Sequence, residues 1–122
     1  MTSEHKLPHD HGNAALDEQL MACLEDGAAF DAASGVFKQL SDGSRLRIFW
    51  LLCHCEECVI NISHMVGMTS PAVSHHLRQL KNSQLIVSRR EGKEVYYRAA
   101  DVPESRLLHQ VIERIIEISC PR

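Results

Sequence analysis

Ser70-Pro71-Ala72-Val73-Ser74-His75-His76-Leu77-Arg78-Gln79-Leu80 is the stretch whose reading decides the fold. Proline at the first helical position opens a helix without losing a needed N–H, so Ser70-Pro71 predicts a helix start. Val73, Leu77 and Leu80 step by four and three, giving one apolar stripe, while Ser74, His75, Arg78, Gln79 and Asn82 take the opposite side. Just upstream, Ile62, Met65 and Val66 predict a shorter helix capped by Asn61 and ended by Gly67, a residue free to adopt positive φ. Just downstream, Leu85 to Ser88 and Glu94 to Arg98 read as two strands about a turn at Arg90-Glu91-Gly92-Lys93. Short helix, glycine turn, polar-faced helix and cationic hairpin together predict a winged helix-turn-helix.

Working outward, Leu16, Leu20, Cys23 and Leu24 predict a helix from Ala14 to Leu24, and a second runs from about Ala28 to Leu40. Ser41-Asp42-Gly43-Ser44 is turn and cap chemistry before a third helix carrying Leu46, Phe49, Trp50 and Cys53 inward. The last helix, from about Pro103 to Ser119, has Leu107, Leu108, Val111, Ile112, Ile115 and Ile116 on a stripe wider than one small domain needs. The expected fold class is therefore mainly α with a small β-hairpin, in the order α-α-α-α-α-β-β-α, assembled as a homodimer. Residues 1–12 read as a flexible histidine-containing arm and residues 13–122 as the winged helix-turn-helix and dimerisation domain.

A length of 122 residues fits one domain with a modest core. No apolar run is long enough to span a bilayer and the polar N-terminal stretch lacks a signal-peptide h-region, so a cytoplasmic protein without a membrane partner is expected. Five cysteines, three of them within Cys53 to Cys58, make a poor disulfide framework and read as free thiols. The net charge of −3 hides a segregation: Ser70 to Arg98 carries +4 and the remainder −7. A local cationic patch is what phosphate neutralisation requires.

Ser70, Ser74 and Arg78 fall at i, i+4 and i+8 on the polar face, with Pro71, His75 and Gln79 beside them. Hydroxyls suit phosphates or bases, Gln can pair adenine, and Arg can fork onto guanine. Arg89, Arg90 and Lys93 on the hairpin are placed for backbone or minor-groove contact. These nine residues are the expected contacts to double-stranded operator DNA. With no glycine-rich phosphate loop and no paired carboxylates, an enzyme is not expected, nor is an organic cofactor.

The run Ser70 to Leu80, the hairpin residues Leu85 to Val87 and Arg90 to Tyr97, and the upstream Leu40 to Ile48 resemble the ArsR/SmtB family over roughly Ala32 to Glu117. The resemblance implies a homodimeric bacterial repressor that releases DNA on sensing a metal ion or, in some branches, a sulfur or redox signal.

Cys53-His54-Cys55-Glu56-Glu57-Cys58 is the densest cluster of candidate ligands, and Cys55 and Cys58 have the C-x-x-C spacing that lets two thiolates reach one ion. Cys58 within Glu56-Glu57-Cys58-Val59 also resembles the metal-site cysteine of the family's lead, cadmium and arsenic sensors. In several of these an N-terminal arm completes the site, which implies a role for His5, His9 and His11. The expected inducer is a metal ion, zinc or cadmium or a similar thiophilic ion such as lead, held by Cys55, Cys58 and these histidines. A mercury or arsenite trap of Cys53, Cys55 and Cys58 is a variant.

The chain departs from the family pattern at Ile60, where some members have a second cysteine, and at Asn61, where an aspartate often stands. The family's other metal site, on the last helix, keeps Asp101 and Glu117 but has Pro103 and Arg114 at the histidine positions, so it reads as dismantled. Cys53 continues an apolar stripe and reads as core, His54 reads as surface, and His109 with Glu113, one helical turn apart, could improvise a metal site but reads first as a surface pair. Persulfide- or oxidant-responsive members imply the alternative in which Cys53 and Cys120 are the sensing thiols. A metal-storage or interaction protein that does not touch DNA is the other class in view.

Overall fold

A computed structural model of the chain describes residues 7–119, and residues 118 and 119 only as backbone. The elements run α1 (Ala14–Leu24), α2 (Gly27–Gln39), α3 (Gly43–His54), β1 (Glu57–Cys58), α4 (Val59–Val66), α5 (Ser70–Asn82), β2 (Ile86–Glu91), β3 (Glu94–Ala99) and α6 (Pro103–Ser119). This is a winged helix-turn-helix. Two compact units divide between Gly35 and Val36, whereas the sequence places its boundary after residue 12. His5 and Cys120 lie outside the described residues.

In the first unit, α1 has no buried residue, and Leu16, Leu20 and Leu24 form an exposed apolar row at i, i+4 and i+8. α2 starts where Asp26 Oδ1 accepts from the Ala29 N–H at 3.1 Å, an N-cap that offsets one orphan donor.

The core lies in the second unit. Ile48, Phe49 and Leu52 from α3, Ile62 and Val66 from α4, and Val73, Leu77 and Leu80 from α5 interlock, closed by Leu85, Ile86 and Ile112. Each fully buried Leu or Ile contributes roughly 2 kcal/mol of apolar transfer. α3 is started by Asp42, whose carboxylate accepts from the Arg45 N–H at 2.9 Å. Gly67 ends α4 at φ +67, the left-handed conformation that only glycine adopts without strain, and so sets the turn into α5.

Two helix starts differ from the sequence reading. α4 begins at Val59 with Cys58 at the cap position, and Asn61, instead of capping, donates from within the helix to Glu57 Oε1 at 3.0 Å. α5 begins at Ser70, one residue before the proline, and its cap is Thr69, whose Oγ1 accepts from the Ala72 N–H.

The expected hairpin is a three-stranded antiparallel sheet in the order β1-β3-β2. Cys58 pairs with Tyr96 and Glu57 with Tyr97, so β1 ties the segment before α4 to the wing. The wing's turn is tighter than expected: pairing continues to Glu91 opposite Glu94, leaving Gly92 (φ +62) and Lys93 as the turn. Ser105, the one buried polar residue among those described, donates from Oγ to the Leu85 carbonyl at 2.9 Å and fastens α6 to the sheet's entry. No helix among the described residues is long and apolar enough to cross a membrane.

Leu77 is 1 % exposed and lies at the α3–α5 contact. Leu77→Ala is expected to cost about 3 kcal/mol, transfer plus cavity, in urea unfolding followed by far-UV circular dichroism.

Candidate nucleic-acid interface and thiol cluster

α5 is two-faced because its apolar residues are consumed by the core. Val73, Leu77 and Leu80 face inward, which leaves Pro71, His75 and Arg78 exposed and Ser70, Ser74 and Gln79 half-buried on the outer side. Arg78 makes no hydrogen bond or ion pair among the described residues. A guanidinium held on a rigid helix with no internal partner is ready for an external acceptor. On the inner side, Arg45 of α3 donates from Nε to His76 Nδ1 at 3.1 Å, and burial, the largest influence, lowers the His76 pKa. His76 therefore belongs to the α3–α5 joint, and its neighbour His75 to the open face.

The wing cations are not equivalent. Arg89 and Arg90 lie on β2, away from the turn where the sequence puts them, and Lys93 alone stands at the tip. Arg89 is already occupied: its Nη2 lies 2.7 Å from Glu56 Oε1 and its Nη1 2.6 Å from Glu91 Oε2, and its guanidinium sits 4.8 Å from the Tyr96 ring centre. The hydrogen bond from Arg89 is the largest influence holding the Glu56 carboxyl below its ordinary range. Arg89 thus fastens the wing to the segment after α3. Arg90, whose Nε donates to the Gly92 carbonyl, and Lys93 remain exposed. Lys81, which the sequence reading counted only as charge, donates to Ser88 Oγ at 2.8 Å and links the end of α5 to β2. No linear pattern announces the Arg89–Glu56 and Lys81–Ser88 links, because each joins two different segments of the fold.

The thiols separate as well. Cys53 is half-buried, and burial, helped by the Glu113 charge, pushes its pKa up to about 12. A sensing thiol favours the opposite shift, and Cys120, the other thiol of that alternative, lies outside the described residues. Cys55 donates from Sγ to the Leu51 carbonyl at 3.5 Å, and its thiol is raised by burial and then by Glu57. Cys58, half-buried at the start of α4, makes no side-chain cap bond. His9 and His11 of the first unit have ring centres 6.1 Å apart. The described residues hold one group of three possible metal ligands, and it contains no cysteine: His54, His109 and Glu113. The sequence reading placed His54 at the surface, apart from the other two.

Residues 42–88, from the cap of α3 into β2, match the model of the arsR family of bacterial regulatory proteins. A cadmium resistance transcriptional regulatory protein CadC homolog of Staphylococcus aureus is 40% identical over 62% of this chain and 67% of its own length. The chain belongs to the ArsR family. A transcriptional repressor SmtB homolog of Synechocystis is 37% identical over 66% of this chain and 61% of its own. The chain spans about half to two thirds of the length of the curated relatives it matches first. A homodimeric winged helix-turn-helix DNA-binding domain from Mycobacterium bovis superposes with a TM-score of 0.67 at 33% identity, covering 75% of this chain and 83% of that one. ArsR-family proteins are bacterial regulatory proteins, not enzymes. Asp101 is paired with Arg106 of α6, and Arg114 of the same helix is exposed.

A carboxylate whose folded pKa lies below its ordinary 4.5 stabilises the fold above that value and loses the contribution as pH falls through the folded pKa. Glu56→Gln is therefore expected to melt below the native chain at pH 7. The gap should close as pH falls below 4.5 and through the lowered folded pKa, measured by thermal denaturation at a series of pH values.

Proposed function

We propose that the chain is a homodimeric repressor that binds double-stranded operator DNA in the cytoplasm and releases it when a thiophilic or borderline metal ion, zinc or cadmium, binds. The observation carrying the DNA part is the division of α5 into a buried Val73–Leu77–Leu80 stripe and an outward Ser74–His75–Arg78 face beside a cationic wing. The second helix of such a motif enters the major groove with its outer side chains on base edges. Ser70, Pro71, Ser74, His75, Arg78 and Gln79 make that contact. Arg90 and Lys93 meet the phosphate backbone, and Arg89 sets the wing's position.

Dimerisation is supported by the α6 surface. Leu107, Val111 and Ile115 repeat at i, i+4 and i+8 and are 61%, 51% and 56% exposed, an apolar row that a second copy would cover. In the dimer the two α5 helices would be spaced by about one DNA turn, roughly 34 Å.

For the inducer, the half-buried thiols of Cys55 and Cys58 have the right donor chemistry for a soft ion and supply two of its ligands. The arm histidines His5, His9 and His11 are the proposed remaining donors. Because the Cys55 thiol is raised, binding must displace a proton and strengthens with pH. By linkage, an ion that weakens operator binding must itself bind the DNA-complexed protein more weakly, by the same factor.

The test is fluorescence anisotropy on the DNA upstream of the protein's own gene, with and without zinc or cadmium. Arg78→Ala should weaken binding about tenfold or more, the range lost with a good base contact. Cys58→Ser should bind DNA like the native chain yet lose the metal response. Unchanged affinity in Arg78→Ala removes the DNA interface, and an intact response in Cys58→Ser removes the thiol site.

A further inference from the structure

We propose that His54, His109 and Glu113 form a second metal site, with two imidazoles and a carboxylate, suited to a zinc-class divalent ion and independent of the thiol pair. The site lies within the second unit, where the last residue of α3 meets two residues one turn apart on α6.

Its geometry is an equilateral triangle. His54 Nε2 lies 3.1 Å from Glu113 Oε1, His109 Nε2 lies 3.1 Å from the same oxygen, and the two imidazole nitrogens are 3.1 Å from each other. A tetrahedral zinc ion with bonds of about 2.0–2.1 Å separates its ligand atoms by about 3.3 Å. The three atoms thus already approximate one face of that tetrahedron.

Protons alone do not satisfy this triangle. If both Nε2 atoms carry hydrogens, both can donate to Oε1, but the two N–H groups then oppose each other across the third edge. If only one carries a hydrogen, it can serve the other nitrogen or the oxygen, and the unprotonated nitrogen faces the carboxylate lone pair to lone pair. With neither protonated, all three edges are repulsive. A cation at the centre is complementary to all three at once, with both histidines neutral as a metal requires.

The surroundings match a ligand site. Trp50 Nε1 donates to Glu113 Oε1 at 3.1 Å, an outer hydrogen bond that fixes the carboxylate, and the Trp50 ring packs 4.5 Å from the His54 ring. Although burial acts to raise the Glu113 pKa, hydrogen bonds from His109, His54 and Trp50 together hold the carboxyl below its usual range. The side chains are 45%, 27% and 39% exposed for His54, His109 and Glu113, which leaves an entry path and a fourth position for water. Nitrogen and carboxylate donors select zinc, cobalt or nickel over the soft ions that thiolates prefer.

The site depends on neither the thiol pair nor DNA binding, so its test uses metal binding alone. Full-length protein carrying Cys55→Ser and Cys58→Ser is titrated with Co(II), which reports coordination through its visible d–d bands. The expected result is one equivalent per chain with tetrahedral-type bands and no near-ultraviolet thiolate-to-cobalt band, displaced by zinc. Adding His109→Ala, or separately His54→Ala, should lower Co(II) affinity at least tenfold while the circular dichroism spectrum stays native. No Co(II) uptake by the double-serine protein, or undiminished uptake after both histidine changes, would overturn the proposal.

Discussion

The seating of α5 on α3 constrains everything else in the second unit. Val73, Leu77 and Leu80 are each 1 % exposed or less and share one buried cluster with Ile48, Phe49 and Leu52 of α3. Rotating α5 to bury any other face would put Arg78, Gln79 or Ser74 into that apolar layer, and an unpaired buried charge costs far more than the stripe contributes. The same burial that stabilises the helix therefore aims its polar face outward. Gly67 and the Thr69 cap set where the helix begins, and the Arg45–His76 hydrogen bond ties it to α3 from the inner side.

The wing depends on a second, smaller constraint. A two-stranded hairpin is marginal in water, and here a third strand of only two residues, β1, joins it at Tyr96 and Tyr97. Arg89 reinforces that junction through Glu56, from the segment next to β1. Because β1 also leads directly into α4, the sheet, the start of the helix-turn-helix and the Cys55–Cys58 segment are one connected piece. An ion that pulled on Cys55 or Cys58 would act where the wing is anchored. His54, at the other end of that short stretch, joins α3 to α6, so both candidate metal sites border the same few residues.

Local pattern revealed the long elements. α1 and α6 have the boundaries that their three-and-four spacing indicates, and α5 is displaced by one residue because threonine, not serine, is its cap. The wide stripe on α6 was legible too, since Leu107, Val111 and Ile115 remain exposed in the single chain. What could not be read depends on partners distant in sequence. β1 is too short for alternation to show, and its partner strand β3 follows two helices and a strand later. Arg89 looks like any tip cation until Glu56 is brought beside it. His109 and Glu113 were visible as a pair one turn apart, but nothing near His54 says that α3 ends against them. Cys53, by contrast, reads correctly as core from its place on the apolar stripe.

The central claim is that the outer face of α5, not merely the charge of the wing, meets DNA. Backbone and side-chain NMR shifts followed during titration with an operator duplex test this residue by residue. The account requires the largest changes at Ser74, His75 and Arg78, with smaller ones at Arg90 and Lys93, and little change at Leu77 or His76. Shifts confined to the wing, with the α5 resonances unmoved at saturation, would contradict it.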